Sequence, residues 1–122
     1  VYWQTADGNT PNNATLTGGT DTSSKKYNAA KHVFRYVRPG AVRVSATPSN
    51  PTGVYVAAFD HDANNTLTMV LQNTTTTSQT VNINVGASGL TRFGVHRRTS
   101  ATETWSDRGA VNVSGGVATI TL

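Results

Sequence analysis

Six carboxylates, one Glu and five Asp, and three histidines are the side chains from which hydrolytic or metal chemistry would start. Acid–base cleavage of a glycosidic bond needs two carboxyls facing each other, about 5–5.5 Å apart for retention or about 6.5–9.5 Å for inversion. Glu103 and the five Asp form no such pair on opposed elements, so no residue is assigned as catalytic. Asp60 and Asp62 stand two apart in Asp60-His61-Asp62-Ala63-Asn64. As turn residues they would bond nearby backbone amides. As ligands they would form, with Asn64 and backbone carbonyls, a weak calcium site, because hard cations take clustered oxygens; the loop lacks the glycine and distal Glu of an EF-hand. No cofactor is otherwise expected. His32, His61 and His96 fall on a helix, a loop and a strand, without zinc-site spacing. No Gly-x-Ser-x-Gly elbow and no glycine loop leading from a strand into a helix is present, which removes nucleophilic-serine and phosphate-cradling chemistry.

Sugar recognition is a chemistry that other residue types here could carry. A pyranose offers an apolar face of C–H groups and a rim of hydroxyls, which proteins meet with a flat aromatic ring flanked by planar polar groups. Trp105 lies in Glu103-Thr104-Trp105-Ser106-Asp107-Arg108, with Arg97 and Arg98 shortly before it. Trp105, Arg97, Asp107 and Arg108 are therefore the candidate carbohydrate-binding residues. The alternative for Trp105 is packing over the end of the fold.

Composition sets the class of protein around these residues. The chain of 122 residues is 36% hydrophobic and 13% charged, against about 25% charged in an average domain. Thr, Asn, Ser and Gly fill the difference, a surface common in extracellular all-β proteins. The net charge of +4 comes from arginines scattered between Arg35 and Arg108, which is not the footprint of a nucleic-acid binder. Without cysteine, disulfides and thiolate metal sites are excluded. No apolar run reaches the roughly 18 residues of a membrane span, and the start, "VYWQTADGNT", has no signal-peptide pattern, as expected of a piece of a longer precursor. Sequons at Asn13, Asn64, Asn73 and Asn112 arise at a rate that an Asn- and Thr-rich chain generates by chance.

The elements that would carry these residues change character once along the chain. "VYWQ" reads as a short strand, followed by a polar loop to Thr22. From Ser24 to Val37, Tyr27, Ala30, Phe34 and Val37 recur at helical spacing and predict one amphipathic helix, stopped by Pro39 and Gly40. After Gly40 the period is two: "AVRVSATP", "GVYVAAFD", "TLTMVLQN", "TVNINVG", "TRFGVHR", "AVNVS" and "GVATITL" each read as a half-buried strand. "DHDANN" and "NTTTTSQ" are expected to be hairpin loops, and "GVATITL" is expected to pair with "AVNVS" across Ser114-Gly115-Gly116. The prediction is a mainly β fold, an antiparallel β-sandwich of about 7–8 strands preceded by one amphipathic helix.

The succession "YWQ", "KKYNAAKHVFRYVRPGAVRVSATPS", "VYVAAFDHDANNTLTMVLQNTTTTSQTVNINV" and "HRRTSATETW" resembles the C-terminal part of glycoside hydrolase family 30, over nearly the whole chain. The resemblance implies that residues 1–40 correspond to the last strand and helix of a catalytic (β/α)8 barrel and residues 41–122 to its side β-sandwich, joined at Arg38-Pro39-Gly40. It further implies that the catalytic glutamates precede Val1, and that Tyr2 and Trp3 belong to a sugar platform at the end of the last barrel strand. Arg35, Arg38 and Arg43 surround the joint, either bonding the last helix carbonyls and interdomain acids or attracting an acidic glycan.

The expected function is that of a noncatalytic carbohydrate-binding or accessory module of a secreted plant or microbial polysaccharide-degrading glycoside hydrolase, of xylan or β-glucan type. A purely structural C-terminal fragment and a protein-interaction sandwich are the alternatives. The expected partners are a polysaccharide or oligosaccharide and the barrel of the parent enzyme, with no nucleic acid and no membrane; a helix face uncovered by loss of the barrel would lead to self-association.

Overall fold

The computed structural model describes residues 4–7, 15–18, 25–49, 52–97 and 106–122. Its elements are β1 (Gln4–Asp7), β2 (Thr15–Gly18), α1 (Lys25–Tyr36), β3 (Val42–Val44), β4 (Val54–His61), a 3-10 turn (Asp62–Asn64), β5 (Thr66–Asn73), β6 (Thr80–Asn84), β7 (Arg92–Arg97), β8 (Ser106–Asn112) and β9 (Val117–Thr121). The fold is mainly β with one helix, and β3 to β9 form antiparallel ladders, as a β-sandwich requires.

The helix and the alternating strands stand where the two periodicities place them. The expected first strand lies outside the described residues except for Gln4, which opens β1 instead. The polar stretch read as a loop contains β2, paired in parallel with β1 through Gln4↔Thr15, Ala6↔Thr17 and Asp7↔Gly18. β2 is only four residues long, and a run that short carries no visible period.

The three-stranded sheet β3-β4-β5 and the two-stranded sheets β6-β9 and β7-β8 all contribute apolar residues to one core. Ile83, Ala118 and Ile120 are the buried centre, and Met69, Leu71, Val81, Val85, Phe93, Val95, Val111, Val113 and Leu122 pack around them. Register aligns Val56 with Leu71 and Ala58 with Met69, so these four share the face turned to that core. Phe59, opposite Thr68, and Ala57, opposite Val70, occupy the other face, where α1 lies against β5. Both faces of β4 and β5 are thereby half-covered.

Two of the expected pairings are corrected. β9 forms its ladder with β6, from Thr80↔Thr121 to Asn84↔Val117, and is bridged to the segment after β8 at Ser114↔Val117. The Ser114–Val117 turn reverses the chain as expected, but the apolar face of β9 matches Val81 and Ile83 across the ladder, and β8 is already paired with β7. "NTTTTSQ" is likewise no hairpin loop, since β5 pairs with β4 and β6 with β9; it carries the chain from one sheet to another.

That crossover is held by side chains. The Asn73 carboxamide oxygen accepts from the Thr75 N–H at 2.9 Å and the Thr75 hydroxyl at 2.7 Å. Its Nδ2 donates to the Thr77 carbonyl at 2.8 Å and to the Leu122 carbonyl at 3.4 Å. Gln79 and Leu122 exchange two backbone hydrogen bonds, so one asparagine ties the end of β5 to the end of β9.

Candidate functional site

The chemistry-bearing side chains collect at two places: the junction between α1 and the sheets, and the β7-β8 ribbon. At the junction the last helical hydrogen bond runs from Val37 N–H to the Val33 carbonyl, and the later carbonyls have no partner within the helix. The Thr68 hydroxyl on β5 donates to the Tyr36 carbonyl at 3.1 Å. Arg38-Pro39-Gly40-Ala41 then makes a turn closed by Ala41 N–H to the Arg38 carbonyl at 3.0 Å, with proline second and Gly40, at φ +94°, third. This is the residue order of a type II turn, whose third position favours glycine. His61, at the end of β4, reaches the Pro39 carbonyl through Nε2 at 3.0 Å. A carbonyl only accepts, so this bond places the imidazole proton on Nε2. Gly40 also gives the ring room, because a Cβ there would stand 3.3 Å from His61 Nε2.

The third contact is aromatic. The Tyr36 ring stacks on His96 of β7 with centroids 4.7 Å apart and planes 16° from parallel, and the Arg35 guanidinium lies 5.9 Å from the Tyr36 ring centre. His96 Nδ1 is 4.0 Å from an Asp107 carboxylate oxygen on β8. The helix end is therefore fastened to β4, β5 and β7 by separate contacts. Of the arginines around the joint, Arg38 and Arg43 are exposed, and the Tyr36 and Pro39 carbonyls are bonded by Thr68 and His61. Nothing in the alternation of β5 marks Thr68 for this task.

Of the expected helix stripe, Tyr27, Ala30 and Val37 are half-buried and Phe34 is not. Asn28 is buried at 1% exposure, whereas Phe34 is 61% exposed. Tyr36, two positions from Phe34, is committed to His96, and two helical steps of about 100° carry Phe34 to the opposite side. The predicted stripe is corrected at Phe34.

On the β7-β8 ribbon, Gly94 pairs with Ala110, but the next pair is His96 with Asp107, so Val95 faces two residues, Arg108 and Gly109. This is a β-bulge, and Gly109, at φ +77°, takes the left-handed conformation that such a bulge uses. The Asp107 carboxylate accepts from the Gly109 N–H at 2.8 Å and holds the kink. The extra residue resets the alternation of β8. Asp107 joins His96 on the helix side, while Arg108 joins Arg97 and Val95 on the other side.

There, Arg97 and Arg108 border a shallow groove of roughly 190 Å³ with Val95, Val111, Thr119, Ile120 and Thr121. This is below the about 300–1,000 Å³ of ordinary ligand pockets, so it accommodates no more than a single small group. Arg97 Nε is buried and has no hydrogen-bond partner among the described residues.

The candidate carbohydrate residues are thus divided. Arg97 and Arg108 share a groove; Asp107 lies on the opposite face of the same ribbon. Trp105, Trp3 and Tyr2 lie outside the described residues. Of the calcium candidates, Asp60 pairs with Val42 and Leu67 within the sheet, Asp62 begins the 3-10 turn, and Asn64 is exposed at its end. Among the described residues no three His, Asp or Glu side chains gather as a metal site would require.

Comparison with curated proteins returns no match. A family model does match: the glycosyl hydrolase family 30 beta sandwich domain, over residues 40–119, about two thirds of the chain. Its span opens at Gly40 of the joint and runs through the ladders of β3 to β8 into β9. With this match and the mainly antiparallel fold, the chain belongs to the glycosyl hydrolase family 30 beta sandwich domain family, a non-catalytic part of such enzymes.

Proposed function

We propose that this domain is a brace for the catalytic barrel of a secreted, polysaccharide-degrading family 30 enzyme of plant or microbial origin, with a xylan or β-glucan as substrate. The observation that carries the reading is the junction: α1 ends in a closed turn and is held to three different strands by Thr68, His61 and His96. A tether that needed only to keep a binding module nearby would require no such fastening, since flexible linkers suffice for that. Phe34, exposed on the far side of α1, offers the barrel an apolar contact and, without the barrel, a surface for self-association. The test is calorimetric unfolding of the parent enzyme with Tyr36→Ala. Bracing predicts that barrel and sandwich, melting together in the wild type, separate into two transitions; a single unchanged transition would remove the proposal.

A second reading, carbohydrate binding, is favoured by the groove. Arg97 and Arg108 border the groove beside Val95, Val111 and Ile120, a mix of planar cationic and apolar groups suited to at most a single sugar ring. Titration calorimetry against xylan, β-glucan, cellulose and galactan distinguishes the two roles. Binding that is lost in Arg97→Ala and Arg108→Ala supports the second; no heat with any glycan leaves the brace alone.

A further inference from the structure

The sequons that composition makes commonplace become unequal once the fold is known. Three of the four have a described asparagine: Asn64, Asn73 and Asn112. Asn73 has no free capacity. Its Nδ2 already serves the Thr77 and Leu122 carbonyls, its oxygen serves Thr75, and the Thr75 hydroxyl, the second half of the sequon, is bonded to the same side chain at 2.7 Å. A sugar on Nδ2 would replace one of the two amide hydrogens and stand where those carbonyls are, so β5 and β9 could not be tied. Asn112 lies in the β8 ladder opposite Arg92, and the next residue, Val113, donates its N–H to Thr91, which keeps this sequon within straight, paired backbone.

Asn64 differs in every respect. It ends the 3-10 turn at the tip of the β4-β5 hairpin and is exposed, and its side chain makes no hydrogen bond among the described residues. Asn65 follows in the left-handed conformation at φ +50°, which bends the chain between Asn64 and Thr66. The turn is closed by backbone alone, Asn65 N–H to the Asp62 carbonyl at 3.0 Å. Nothing in the local structure would be lost by substituting the Asn64 amide.

We propose that Asn64 is an N-glycan acceptor and that Asn73, despite an equally good sequon, stays unmodified. The co-reactant is a lipid-diphosphate-linked oligosaccharide. The Asn64 Nδ2 forms a bond to the anomeric carbon, the bond from that carbon to the diphosphate oxygen breaks, the amide proton passes to a base of the transferase, and the lipid diphosphate leaves. The proposal rests on the extracellular reading given above, since this chemistry belongs to the secretory route.

The test is expression of the full chain behind a cleavable secretory leader in a eukaryotic host, followed by enzymatic deglycosylation in heavy-oxygen water and peptide mass spectrometry. Each glycosylated Asn is thereby converted to labelled Asp. Label at Asn64 with none at Asn73, and loss of one glycan's mass in Asn64→Gln, are the expected results. An unlabelled Asn64, or label at Asn73 in correctly folded secreted protein, would overturn the proposal. Because the leader imposes the route, this result is independent of where the natural protein resides; fractionation of the natural source tests the extracellular reading separately.

Discussion

Replacing Thr68 by valine isolates one contact of the junction. The side chains are nearly the same shape, so the change removes the hydroxyl that donates to the Tyr36 carbonyl at 3.1 Å and little else. That carbonyl is part-buried and has lost its helical partner to the chain turn at Pro39. A hydrogen bond of this kind contributes about 1 kcal/mol net, and a carbonyl left without a partner costs roughly 1–3 kcal/mol. At 1.4 kcal/mol per tenfold, opening of the last helical turn should become about fivefold easier at the low end. Amide hydrogen exchange reads this directly: the amides from Val33 to Val37 should exchange at least about fivefold faster, while Val81 to Val85, in the β6-β9 sheet, keep their protection. Thr66→Val, on the exposed start of β5, is the control and should change nothing. The reasoning is refuted if the helix amides of Thr68→Val exchange at the wild-type rate, or if protection falls equally throughout both sheets.

Ile83→Ala should lower stability by about 2–5 kcal/mol, read as the urea midpoint, because it empties a site at the centre of the core. Gly109→Ala should cost only the roughly 1–2 kcal/mol of a left-handed non-glycine residue, since its Cβ meets nothing, and Gly40→Ala should cost more because its Cβ also presses on His61; equal midpoints would contradict this. Asn73→Asp retains the acceptor for Thr75 but turns a carboxylate toward the Thr77 and Leu122 carbonyls, so thermal unfolding should show a loss of about 1–3 kcal/mol, against almost none for Asn64→Asp.

Alternation and helical spacing made the class of fold legible before any coordinates. Val81, Ile83 and Val85 stand at every second position and line the core as that spacing requires, and the helix ends within one residue of its expected stop. Periodicity states which residues share a face of one element; it does not state which element lies opposite. That is why β9 could be assigned to β8 when its ladder is with β6, and why Phe34 was expected inside when it is exposed and Asn28 is buried.

The candidate site divides along the same line. Trp105, Arg97, Asp107 and Arg108 are neighbours in sequence, and their residue types and spacing were all that named them as candidates. Asp107 and Arg108 are consecutive and face opposite ways in any extended strand; which of them joins Arg97 depends on one glycine. Gly109 admits an extra residue into β8, and since strand side chains alternate with a period of two, that residue moves Asp107 to the helix side and leaves Arg108 with Arg97. The junction is another matter: Thr68, His61 and His96 come from three strands and meet α1 only after those strands are paired. Local propensities along the chain determined the helix, its Pro-Gly stop and the strands that follow. The partners of the strands were decided by burial of apolar residues around Ile83, Ala118 and Ile120 in a common core, and the hold on the helix end by Thr68, His61 and His96, because both sets of contacts join residues far apart in the chain.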